Sequence, residues 1–202
     1  MAPSDKLCAS LKQQKMEQNK TVYINFFDSI DATKVNKFIK FCADVINTHN
    51  PSELYFFISS GGGDVDSGFV LYNYLTSLTG KLNITMHNTG NIDSIANVIF
   101  MAGQKRFSAP NGAFLFHGVA MNCNGGFTRT MLTETLSRCI GMENRISHTI
   151  SSKSKLTDGE IEILFRQGEG KDVKFALEKE IIHEIKVPSV PPNSVHLAMT
   201  FV

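Results

Sequence analysis

The sequence predicts an α/β domain built on a mainly parallel sheet. Three observations carry that prediction. Short apolar, β-branched and aromatic runs recur at residues 21–27 (TVYINFF), 53–59 (ELYFFIS) and 82–86 (LNITM). Segments with apolar residues at helical spacing separate them. Glycine- and asparagine-rich turns follow the second and third runs, where strands hand over to helices. Strands that alternate with helices specify a parallel sheet, with sites gathered at the carboxyl ends of the strands.

Element by element, residues 21–27 read as a buried strand because β-branched and aromatic residues fill it. A turn at Asp28-Ser29-Ile30-Asp31 starts a helix whose apolar positions are Val35, Phe38, Ile39, Cys42, Val45 and Ile46. His49-Asn50-Pro51 ends it. The second strand, 53–59, runs into Ser60-Gly61-Gly62-Gly63-Asp64, and residues 68–78 follow as a helix with Val70, Leu71, Tyr74, Leu75 and Leu78 on its apolar face. The third strand, 82–86, leads through a polar turn at Gly90-Asn91 to Ser94 and a helical run containing Ile95, Val98, Ile99 and Ala102. Residues 105–107 form a small strand, Ala109-Pro110-Asn111-Gly112 a turn, and 113–116 a strand ending at His117.

Residues 128–152 read as one long helix with Met131, Leu132, Leu136, Ile140, Ile146 and Ile150 inward. Shorter helices are predicted at 158–165 and 172–180, and a last strand at 181–185. Residues 1–20 are expected to form a flexible N-terminal arm, 21–186 the folded domain, and the proline-bearing residues 187–202 an extended tail.

Composition narrows the function classes. The chain has 202 residues and a net charge of +1, which argues against nucleic acid or an anionic membrane surface as the main partner. No apolar run reaches membrane-spanning length, and the first twenty residues lack the apolar centre of a signal peptide. The four cysteines (Cys8, Cys42, Cys123, Cys139) are scattered without metal-type spacing, so reduced thiols in a cytoplasmic protein are expected, with no metal and no cofactor.

Ser94 sits between a polar turn and an apolar helix, a place where a hydroxyl is accessible and free backbone N–H groups lie close. The bland alternative is a helix N-cap. A serine nucleophile needs a base, and His117 closes a neighbouring strand end. Gly61–Gly63 lacks the Lys-Ser/Thr of a phosphate loop and reads instead as a tight turn offering backbone N–H groups to an oxyanion. His49, His87, His148 and His183 read as structural.

These stretches together resemble the Clp protease proteolytic subunit (ClpP) family over residues 22–185. ISSGGGDVDSG (58–68) resembles its I-N-S-P-G-G-x-V-x-x-G, residues 90–94 its G-x-A-A-S, and SAPNGAFLFHG (108–118) its A-x-P-N-x-x-x-M-I-H-Q. The resemblance implies a ClpP/crotonase-like fold of repeated β-β-α and βαβ units with a long protruding helix. It implies a serine endopeptidase working through an acyl-enzyme. Ser94 matches the nucleophile, His117 the base, and Gly63 and Ile95 the residues whose N–H groups form the oxyanion hole. For the third member of the triad, ungapped alignment puts the family's aspartate on Gly168. Asp172 is then the first candidate and Glu169 the second, while both also read as a helix cap and a solvated loop charge. Implied partners are a peptide or unfolded protein substrate, further copies in rings or stacked rings, and an ATPase unfoldase. Departures are Gly61 at the family's proline, Ile92-Asp93 at its two alanines, and Asn97 at a small or apolar position. Asp93 is either a charge beside the nucleophile or a cap for the next helix. Two other readings stay open: a catalytically silent scaffold subunit, and a crotonase-like acyl-CoA enzyme that would not need Ser94 and His117.

Overall fold

The computed structural model describes residues 20–122 and 125–199. The predicted arm lies outside them, apart from Lys20, as do Cys8 and Cys123. Strand β1 (Thr21–Phe27) leads to helix α1 (Ala32–His49), β2 (Glu53–Ser60), α2 (Val65–Leu78), β3 (Asn83–Asp93) and the short α3 (Ala96–Phe100). Then come β4 (Lys105–Ser108), β5 (Ala113–Leu115), the long α4 (Arg129–Ser151), α5 (Asp158–Gln167), β6 (Gly170–Asp172), α6 (Val173–Glu178), β7 (Glu184–Ile185) and β8 (Val195–Ala198). The α/β class with a mostly parallel sheet holds.

Capping side chains fix several helix starts. Asp31 accepts from the Lys34 amide and Asp64 from the Ser67 amide, each satisfying a first-turn donor. The Asp64 cap places the start of α2 at Val65, ahead of the predicted Gly68. At the far end of α1, Asn50 closes the helix in the left-handed region with φ 43°.

The strands order as β6-β5-β3-β2-β1-β8, with β4 paired to β3 and β7 to β4; only the β5–β6 pairing is antiparallel. The strand period of two splits the sheet into two faces. Val22, Ile24, Phe26, Leu54, Phe56, Ile58, Ile84 and Met86 meet Val35, Phe38, Cys42, Leu71 and Leu75 of α1 and α2 in the main core. Phe38 stands edge-on to Phe26, with centroids 4.8 Å apart. Burying a side chain of this size contributes about 2 kcal/mol. On the other face, Tyr23, Tyr55 and Phe57 form a small aromatic cluster joined by Phe107 and Val190.

Four expectations need correction. The polar stretch expected as a turn at Gly90-Asn91 belongs to β3, which runs to Asp93; its pairing with β2 slips between Ile58 and Ser60, absorbing the polar residues at an irregularity. The last strand is shorter than 181–185, because Ile181 and Ile182 are buried in the connection before β7. The tail is extended but also docks: β8 pairs in parallel with β1, and His196 Nε2 lies 2.9 Å from Asn25 Oδ1. Helix α4 buries only Ile146, Ser147 and Ile150, while Met131, Leu132, Leu136 and Ile140 face outward at 45–61% exposure. Its apolar stripe exists as read, but its first half leaves the domain without a surface to meet.

Candidate active site

Ser94 follows the last residue of β3 with φ 56°, a left-handed conformation that non-glycine residues seldom adopt. Such a conformation persists where the surroundings over-determine it. Here the Ser94 amide donates to the Leu115 carbonyl at 2.9 Å, and the Ser94 carbonyl accepts the Asn97 amide at 3.1 Å. The side chain is half-buried, and its hydroxyl makes no hydrogen bond among the described residues.

The glycine turn lies against it. Gly62 and Gly63 have φ 83° and 149°, so both sit where side chains are strained. A Cβ on Gly63 would run into the Ile30 carbonyl, and one on Gly62 would meet Ser94. The turn is stitched to the loop after β1: Ile30 N–H donates to Gly62 O at 2.9 Å, and Asp64 N–H to Ile30 O at 2.8 Å. These bonds use neither the Gly63 amide nor the Ile95 amide, and neither donates a hydrogen bond among the described residues. Beside Gly63, a cleft of about 240 Å³ is lined by Val65, Val119, Met121 and Met142 together with the polar Asp64 and Asn122.

His117 reaches the same edge from β5. That strand pairs in parallel with the end of β3, with Asp93 opposite Leu115, so Ser94 and His117 extend neighbouring strand ends. His117 Nδ1 lies 2.8 Å from the Gly118 carbonyl. A carbonyl only accepts, so Nδ1 carries a proton, and in the neutral imidazole Nε2 is the acceptor. Among the described residues no hydrogen bond joins Ser94 to His117, whose ring bonds the Gly118 carbonyl instead.

The third position is where sequence and geometry meet least well. In the antiparallel β5–β6 pairing, Leu115 faces Gly170 and Ala113 faces Asp172. Carried two residues on, this register sets Gly168 opposite His117, and Gly168 is the left-handed cap of α5, with φ 60°. Asp172 stands four residues back along β5, roughly 13 Å away at strand rise. It accepts the Phe175 amide at 2.9 Å as the N-cap of α6. Glu169 is solvated and paired with Lys171 at 3.3 Å. Neither carboxylate touches His117.

Asp93 does not cap α3, whose start has no side-chain cap; it accepts Asn91 Nδ2 at 2.6 Å.

Two further residues belong to this neighbourhood. Asn97 is fully buried on an otherwise apolar helix. Its Nδ2 lies 3.2, 3.1 and 3.0 Å from the carbonyls of Ile92, Ser94 and Leu115, tying the strand end, the serine turn and β5 into one unit. Its Oδ1 has no partner among the described residues, at a cost of about 1–3 kcal/mol, so the clamp is held against a penalty. A lone asparagine inside IANVIFMAG was the available signal. Glu143 of α4 accepts the Val119 amide at 2.9 Å, and nothing in its local sequence signals this. Elsewhere, His87 is buried in β3: Tyr55 donates its hydroxyl to Nδ1 at 2.7 Å, and Nε2 donates to the Lys186 carbonyl at 2.8 Å. Burial pushes its pKa below the ordinary value. Among the described residues no three His, Cys, Asp or Glu side chains are grouped to hold a metal, and no helix is long and apolar enough to cross a membrane.

The model of the family described as Clp protease matches residues 9–187. Among curated proteins, the ATP-dependent Clp protease proteolytic subunit 2 of Pseudomonas aeruginosa is 35% identical over 66 residues, covering 32% of each chain. The protein of the same name from Treponema denticola is 33% identical over 66 residues, with the same coverage. The match thus spans about a third of the length of these relatives. Among solved structures, the ClpP protease catalytic domain from Plasmodium falciparum superposes with a TM-score of 0.67 at 20% identity, over 85% of this chain and 88% of that one. At that identity the likeness speaks for the fold.

Proposed function

The chain belongs to the Clp protease family, and from that premise we propose that it is a serine endopeptidase that cleaves peptide bonds through an acyl-enzyme. The observation that carries the reading is the conjunction at one sheet edge. A left-handed Ser94, two undonated amides at Gly63 and Ile95, and an Nδ1-protonated His117 lie on adjoining loops. In the proposed reaction Ser94 Oγ attacks the scissile carbonyl carbon while its proton passes to His117 Nε2. The oxyanion is met by the Gly63 and Ile95 N–H groups. The imidazolium then gives its proton to the leaving amine, and water repeats the sequence in reverse on the ester. The cleft beside Gly63, of mixed polar and apolar lining, offers room for a substrate side chain.

We also propose assembly into rings or stacked rings that enclose the sites. The outward Met131, Leu132, Leu136 and Ile140 on one long helix support it, being an apolar strip of the kind that a further copy covers. An ATPase unfoldase partner belongs to the same reading, as does a cytoplasmic location, which the free thiols of Cys42 and Cys139 suit.

A second reading, a catalytically silent scaffold subunit, is favoured by one observation: Asp172 is engaged as a helix cap and Glu169 by Lys171, and neither bonds His117. A peptidase assay on the wild type and Ser94→Ala, with mass measured under native conditions, separates them. Turnover that disappears with Ser94 supports the peptidase. An inert wild-type assembly supports the scaffold.

A further inference from the structure

Two hydrogen bonds meet on one peptide unit. His117 Nδ1 donates to the Gly118 carbonyl at 2.8 Å, and the N–H of the same Gly118–Val119 peptide donates to Glu143 Oε1 at 2.9 Å. The preceding peptide is anchored too, since the Gly118 N–H donates to the Phe165 carbonyl at 3.3 Å. The carboxylate sits close over the glycine: a Cβ on Gly118 would lie 2.7 Å from Glu143 Oε1 and would displace it. Glu143 is half-buried and forms no ion pair among the described residues, so its charge is directed at this amide.

We propose that Glu143 is the positioning carboxylate of the serine site and acts on His117 through the Gly118–Val119 peptide. This rests on the serine-peptidase reading. A carboxylate on the N–H side polarises the amide and strengthens its carbonyl as an acceptor, since hydrogen bonds in a chain reinforce one another. The strengthened carbonyl holds the proton on Nδ1, turns Nε2 toward the nucleophile as an acceptor, and favours the imidazolium when it forms. These are the tasks a directly bonded acid performs in a triad. They are needed here because Gly168 offers no side chain, Asp172 is engaged by the Phe175 amide, and Glu169 by Lys171.

The test uses the full chain labelled with ¹⁵N-histidine, the His117 signals being assigned by their loss in His117→Asn. The wild type is expected to show the Nδ1–H tautomer. Glu143→Ala is expected to mix the tautomers and to slow both kcat and fluorophosphonate labelling of Ser94 by about tenfold, with KM unchanged. Glu143→Gln keeps an acceptor for the Val119 amide and is expected to retain the tautomer and recover most of the rate. A wild-type spectrum with the proton on Nε2 overturns the proposal, and this readout needs no variant to fold. Glu143→Ala labelled at the wild-type rate overturns it too, while leaving the peptidase reading intact. A wild type that takes no adduct at Ser94 defeats the peptidase reading itself.

Discussion

Gly62 passes so close to Ser94 that a Cβ built on the glycine would lie 2.7 Å from the serine Cβ and 2.8 Å from the Asp93 carbonyl. The glycine turn is therefore the wall against which Ser94 rests, and its φ of 83° already excludes most side chains. Gly62→Ala is expected to displace Ser94 and the neighbouring amide together. Catalytic misplacement on this scale costs about 10²-fold in kcat/KM. Steady-state peptidase kinetics beside a thermal melt check it: a folded variant with full turnover contradicts the arrangement.

Asp172 separates a capping role from a catalytic one. It accepts the Phe175 amide and is exposed. Asp172→Ala is expected to lower stability by about 1 kcal/mol through the lost cap and to leave kcat unchanged. Denaturant melts and peptidase kinetics on the same preparation decide it. A collapse of kcat at unchanged stability would return Asp172 to the triad.

Asn97 is expected to matter more than its place on a five-residue helix suggests. Asn97→Asp removes the donor and turns a carboxylate toward the carbonyls of Ile92, Ser94 and Leu115. A buried charge without a donor is strongly destabilising, at about 3–5 kcal/mol. Urea titration reads it, and a loss below 1 kcal/mol would mean that the three carbonyls do not share this donor.

Stability should also fall in mild acid. Burial holds His87 below the ordinary histidine value of 6.5, and burial with the nearby Arg106 does the same to His183. Above that value both states are neutral and the full stability is present. As pH falls below it, the unfolded chain takes up protons that the fold refuses, so stability is lost toward the lower folded-state pKa. Tyr55, Glu184 and Lys186 surround His87; the Lys186 carbonyl and the Glu184 charge favour the protonated ring, and burial outweighs them. Denaturation midpoints at pH 8 and pH 5.5 measure the slope, and His87→Gln is expected to flatten it. An equal slope in wild type and variant would assign the acid sensitivity elsewhere.

Much of this fold is legible because its signals are local. β-Branched runs, the helix start at Asp31 and glycine turns act within a few residues of themselves, whereas the cap at Asp64 begins its helix ahead of the predicted Gly68. The placement of Ser94 and His117 at neighbouring strand ends is legible for the same reason, since a parallel sheet gathers its strand ends. What stayed hidden depends on distant partners. The pairing of β8 with β1 joins residues more than 170 positions apart, and a proline-rich tail carries no sign of it. Helix α4 shows an apolar stripe whether that stripe meets its own domain or another copy. The carboxylate of Glu143 reaches Val119 across 24 positions through a helix face that reads as ordinary.

That stripe gives a direct test of assembly. Leu136 is 61% exposed on α4, so Leu136→Asp has no core to disturb. Native mass measurement is expected to show smaller species than the wild type at an unchanged protomer fold. Identical masses for both would contradict assembly through α4.

The most direct measurement is intact-mass and peptide-map analysis after reaction with a fluorophosphonate, on the wild type and His117→Ala. The account predicts one adduct, located on Ser94, forming readily in the wild type and far more slowly without the imidazole. A wild type that stays unmodified, or a Ser94 that reacts equally fast in His117→Ala, would contradict it.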